Sequence, residues 1–194
     1  MPNTLKDGTG TGKLAKINKD NQLVTRATAV EQRLASAVDG NYFELTTGLI
    51  ELTDASENMF VYVKNETTEL HQTIVIDRVF FDSFDSTGGS GSGVLKYYIN
   101  PTVTGGTDII PINTNFGDST TLIGTFQNDM TTVTGSAWWT AQITAASSIT
   151  IEEGRIVIPS GRSFGISIQA PTGNTSMSAS INVAMYLLDT QLIQ

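Results

Sequence analysis

Apolar positions are sparse before Gly40, where Leu14 and Ile17 are the only sizeable apolar side chains between Leu5 and Leu23. Gly8, Gly10 and Gly12 alternate with threonines there, raising the entropic cost of ordering the chain, so residues 1–40 are expected to form an extended N-terminal arm. Within it Val30, Leu34 and Val38 recur four residues apart, which predicts a short helix over 28–38 closed by Asp39-Gly40. Beyond Gly40 the period shortens to that of strands. Tyr42–Leu45 and Leu49–Thr53 flank Thr46-Thr47-Gly48 and predict a hairpin. Met59–Val63 is apolar on both faces, with Met59, Val61 and Val63 on one and Phe60 and Tyr62 on the other. Gln72–Phe81 is a longer run of the same kind. Two-sided strands need cover on both faces, and a neighbouring subunit could supply one.

Ser86–Gly93 is a low-complexity Ser/Gly loop, followed by a strand over 94–100. Pro101–Gly135 is the least regular stretch, punctuated by Gly105-Gly106, Pro111 and Gly117. Further strands are expected over 137–144, 148–151, 155–158, 163–169 and 176–188. In the last two, Phe164, Ile166 and Ile168, and then Met177, Ala179 and Ile181, alternate with small or polar residues. Eight to ten short strands without intervening helices predict one antiparallel β-sandwich of jelly-roll type over residues 41–194.

Composition supports this pattern. Charged residues make up 15 % of the chain, and polarity comes instead from hydroxyls, including 28 β-branched threonines that suit pleated surfaces. Residues 1–40 carry six Lys/Arg against four Asp/Glu, and the remainder five against fifteen, so a net of +2 precedes a net of −10. The acidic body is unsuited to specific nucleic-acid binding. With no cysteine there is no disulfide framework, thiolate metal site or thiol nucleophile. Neither a secretory signal nor a membrane-spanning apolar run is expected, so no membrane partner follows.

Catalytic constellations are weak. Asp7–Lys13 superficially resembles a phosphate loop, but Asp7 stands where glycine is required and Leu14 where serine or threonine is required. His71 is the only histidine and reads as a turn residue. Glu152-Glu153 reads as a solvated hairpin turn, because glycosidase chemistry needs two carboxyls facing across a cleft. Asp82 and Asp85 lack the alternating ligands of a calcium loop. No cofactor, metal site or enzymatic activity is expected. Trp138-Trp139 is different: neighbours on a strand face opposite ways, so one ring should enter the core and the other cover a sheet face, loop or second subunit.

Three regions carry a family resemblance. The first is the leader from Gly8 through Asn21–Ala27 to Gly40; the second is Leu49–Thr53 with Phe60–Asn65; the third is Pro159–Ile166 with Pro171–Met177. Together they resemble structural proteins of tailed-bacteriophage virions that decorate or cement the capsid. The resemblance implies a non-catalytic β-sandwich, often trimeric, bound to the major capsid protein on the capsid surface of a virion assembled in the host cytoplasm. On that footing Lys13, Leu14, Lys16, Ile17 and Lys19 are the candidate capsid-contact residues of the arm, and Trp138 and Trp139 the candidate subunit interface. The alternative is a tail or head-fibre module that binds a host glycan through Trp138 or Trp139 and the Pro101–Gly135 loops.

Overall fold

The computed structural model describes residues 4–6, 14–17, 23–24, 32–52, 56–69, 72–85, 92–144, 148–170 and 177–189. The chain divides into two units, Met1–Glu31 and Gln32–Gln194. In the first, β1 (Thr4–Lys6), β2 (Leu14–Ile17) and β3 (Leu23–Val24) pair antiparallel in the order β1-β2-β3. The second unit begins with α1 (Gln32–Val38). Its end is a full Schellman cap: Gly40 N–H donates to Ala37 O, Asn41 N–H to Ser36 O, and Gly40 takes φ +72°. A Cβ on Gly40 would also collide with the Asp118 carboxylate. The helix lies within the expected 28–38 stretch and ends at Val38, residues 28–31 being outside the described residues, but Leu34 and Val38 point to solvent. It is the side of buried Ser36 and half-buried Ala37 that packs on the sheet.

The other strands are β4 (Tyr42–Thr46), β5 (Ile50–Glu51), β6 (Glu57–Asn65), β7 (Gln72–Asp85), β8 (Ser92–Ile99), β9 (Thr102–Asp108), β10 (Ile112–Asn113), β11 (Gly124–Thr134), β12 (Ala137–Thr144), β13 (Ser148–Ile158), β14 (Ser163–Gln169) and β15 (Met177–Asp189). Sheet one runs β10-β4-β15-β7-β13, with β5 also on β15; sheet two runs β12-β8-β14-β6-β11-β9. Eight of these strands form a nested antiparallel set: β4 pairs with β15, β6 with β14, β7 with β13 and β8 with β12. The pairs alternate between the sheets, as when one long hairpin is rolled up. This is the jelly roll that the strand pattern predicted.

The core between the sheets contains Phe60, Val61, Val63, Ile74, Ile76, Val79, Phe81, Leu95, Tyr97, Phe164, Ile166, Ile168, Ile181, Val183 and Met185, all buried. One-sided alternation holds on β15, where Met177, Ala179 and Ile181 are buried. It fails on β14, where Gly165 and Ser167 are buried as well. A Cβ at Gly165 would meet Met59 and Pro101, which cover that spot from outside.

Several local expectations are overturned for identifiable reasons. Tyr42–Thr46 and Ile50–Glu51 do not form a hairpin. Both pair with β15, so they run end to end along one strand. At the break Thr47 replaces the ladder: its N–H donates to Ile181 O, and its hydroxyl oxygen accepts from Ile181 N–H at 3.0 Å. On β6 the facing register skips one residue, so Phe60 joins Val61 and Val63 in the core while Met59 and Tyr62 pack on the opposite face. Pro101–Gly135 is not an irregular loop. It holds β9 and β11, which widen sheet two beyond β6, and β10, which lies on β4. Its glycines and mixed polarity concealed β9, which is largely exposed on both faces, and β11, of which Phe126 and Met130 are buried.

Asn65 ties the two sheets. It is fully buried, and its amide donates to Gln72 O at 3.0 Å and to Ile158 O at 2.9 Å. Its side-chain oxygen accepts from both Thr67 N–H and the Thr67 hydroxyl. Its backbone pairs with Arg162 O and Gly161 N–H. Asn65→Leu keeps the size but orphans Ile158 O and the buried Thr67 N–H, and leaves Gln72 O only the Thr67 hydroxyl at 3.4 Å. A loss of at least about 3 kcal/mol is expected. Urea denaturation of the purified variant measures it.

Candidate subunit interface

The tryptophans sit at the start of β12, where the pairing with β8 slips: Ala137 faces Tyr98, yet Trp139 faces Tyr97. One extra residue is therefore accommodated at Trp138, a β-bulge. The bulge breaks the alternation that would send the rings to opposite faces. Both lie beside Tyr97, Trp139 at 4.6 Å and Trp138 at 6.1 Å between ring centroids, and Phe164 meets Tyr97 edge-on at 5.3 Å. Trp139 packs against the main core, while Trp138 stays 48 % exposed.

Trp138 forms one wall of a groove of about 370 Å³ at the end of the sandwich. The other walls include Ile99, Val157, Pro159, Arg162 and Phe164. Ile99 and Val157 are exposed, so three large apolar side chains from β8, β12 and β13 face solvent around one concavity. The Pro101–Gly135 segment contributes nothing to its lining.

A second cluster, absent from the sequence reading, spans the opposite surface of sheet two. Glu57 on β6 accepts from Lys96 Nζ at 2.7 Å, from Tyr98 OH at 2.6 Å, and from Ser167 Oγ. Lys96 also reaches Gln169 Oε1 at 3.4 Å. The register brings these residues together from three strands: Ser167 stands opposite Lys96, and Gln169 opposite Glu57. No spacing along the chain signals that meeting. Burial pushes the Glu57 carboxyl up, but the hydrogen bonds from Lys96, Ser167 and Tyr98 and the Lys96 charge outweigh it, and the group is held below the usual carboxylate range. Burial and the bond to Glu57 push the Tyr98 phenol up to about 12. Ser167 is fully buried while Lys96 and Glu57 stay partly exposed, so the cluster is a clasp across three strands that reaches the outer surface of the sheet.

Of the other sequence candidates, Leu14, Lys16 and Ile17 stand on β2, with Lys16 paired to Thr4 and Val24. Lys13, Lys19 and His71 lie outside the described residues. Glu152 and Glu153 are not in a turn; they belong to β13, where the pairing with β7 shifts between Glu152 and Ile156. Asp82 is exposed on β7, and Asp85 ends that strand. Among the described residues no group of three or more His, Cys, Asp or Glu could hold a metal ion.

Neither a scan of family models nor a search of curated proteins finds a match. Solved structures similar to the chain include the full particle of Israeli acute paralysis virus heated to 63 degrees, at 10 % identity and TM-score 0.30, covering 94 % of this chain and 78 % of that one. A nora virus structure is similar at 12 % identity and TM-score 0.24, covering 96 % and 71 %. Scores this low do not fix strand correspondence, so the jelly-roll assignment rests on the strand order itself.

The Glu57 clasp makes a pH-dependent prediction. A depressed folded-state value means the unfolded chain takes up the proton first, so stability is complete above the ordinary value of 4.5 and falls as pH drops through the folded one. Glu57→Gln should be less stable by about 1–3 kcal/mol at pH 6 and lose less on going to pH 3. Urea midpoints at the two pH values test both.

Proposed function

We propose that this chain is a structural virion protein, a non-catalytic capsid decoration or cement protein that binds the major capsid protein at the shell surface. In this reading it acts as a homotrimer, joined at the Trp138 and Trp139 side, and stabilises the shell against internal pressure. The observation that carries the proposal is the apolar groove of Trp138, Ile99 and Val157, three large side chains left exposed around one concavity. Half-exposed aromatic and aliphatic side chains around a concavity are the raw material of protein interfaces. The resemblance to tailed-phage decoration proteins supplies the shell as partner. Lys13, Leu14, Lys16, Ile17 and Lys19 would contact it or a neighbouring subunit, and three linked arms would add their weak contacts at high effective concentration.

One observation favours a second reading. The exposed Trp138 ring lies in the same groove as Arg162 and Asn100, which suits a glycan, and a tail or head-fibre receptor module would use it so. A glycan array separates the two, since a cement protein ignores sugars and binds shells.

Deleting residues 1–25 should lower occupancy on shells stripped of the protein by roughly tenfold or more. Electron microscopy of mixed particles gives the count. Undiminished occupancy would remove the arm from the binding mechanism.

A further inference from the structure

The outer surface of sheet one carries a feature the proposed function leaves unused. Between β9 and β11 the chain exposes Ile110, Ile112, Phe116 and Ile123, and Phe116 is 90 % exposed. Its turn is nonetheless pinned. Asn113 donates to Gly40 O and accepts from Asn115 N–H at 2.9 Å; Asn115 donates to Val38 O; Asp118 N–H closes on Asn115 O; and Thr114 N–H donates to Tyr42 O. The phenyl ring is thus presented on a braced turn, so little ordering entropy remains to be lost when it binds.

Beside it lies a groove of about 620 Å³ on the same surface, lined by Glu44, Arg78, Phe80, Ile112, Asn182 and Phe116 itself. Its charged lining residues are Glu44 and Arg78, 3.7 Å apart and both about half exposed. The groove lining thus carries one charge of each sign, on a body whose net over residues 41–194 is −10. The lining itself therefore adds no net repulsion between two copies.

We propose that this surface pairs two copies of the chain about a twofold axis, with Phe116 of each entering the groove of the other. Knob and socket adjoin on one patch, the arrangement that an isologous contact requires, because the same surface must complement itself. Turned to face its copy, Glu44 meets Arg78 of the partner subunit and the reverse, so the charge pattern matches as well. The pairing needs neither a capsid nor the trimer proposed above.

The full chain at about 10 µM should sediment as an even-numbered species, a dimer or, if the Trp138 side also joins copies, a hexamer. Phe116→Asp should halve the mass in either case with an unchanged circular-dichroism spectrum, since the ring touches little of its own subunit. Glu44→Arg should weaken the association about tenfold or more, and the double variant Glu44→Arg/Arg78→Glu should restore it. An odd-numbered or monomeric full chain, or a mass indifferent to Phe116→Asp, would overturn the proposal. So would a Glu44→Arg defect that the double variant fails to repair. A trimer untouched by Phe116→Asp would leave the Trp138 interface standing alone.

Discussion

Everything in the sandwich depends on how its two sheets are held in register at the corners where the chain crosses between them, and Asn65 does this at the corner joining β6 to β7. An amide has two donors and one strong acceptor, and here all are used by a side chain that is fully buried. A buried polar group of this kind is costly when unpaired and directional when paired, so it selects one arrangement of four chain segments from many that bury equal apolar area. The apolar core supplies the bulk of the driving force. It cannot by itself say which strand of one sheet lies over which strand of the other.

Bulges then decide what each surface becomes. The slip at Trp138 turns two rings towards Tyr97 and leaves one of them open to solvent, and the slip beside Phe60 places two consecutive side chains in the core. Both adjust the pleat by one residue, and both change which side chains face a partner. The candidate interface therefore owes its form to an irregularity in pairing as much as to residue type.

The all-β class, the jelly-roll sandwich, the helix before Gly40 and the alternating strand β15 were legible in the sequence, because each follows from spacing or from a capping glycine. The in-line break at Thr46–Gly48, which the sequence suggested was a hairpin, was not, since a threonine hydroxyl standing in for a ladder partner looks like turn chemistry. The outward turn of Leu34 and Val38 was hidden too, because a stripe marks a helix without saying which side the sheet will take. Trp138 was recognisable as an interface candidate by type, but its neighbours Ile99 and Val157 come from strands far apart in the chain. The Glu57 clasp was invisible for the same reason: its members meet only through cross-strand register.

The nesting of strand pairs also governs when this protein can fold during synthesis. Of the described strands the last in chain order, β15, occupies the middle of sheet one and pairs with β4, β5 and β7. Until it leaves the ribosome, β4 has no central neighbour and β7 has only β13. Such long-range closure is slow and leaves strand edges open in the meantime. A nascent chain of this design keeps the edges of β4 and β7 open until β15 has been made, and that interval is when it is most prone to stick to other chains.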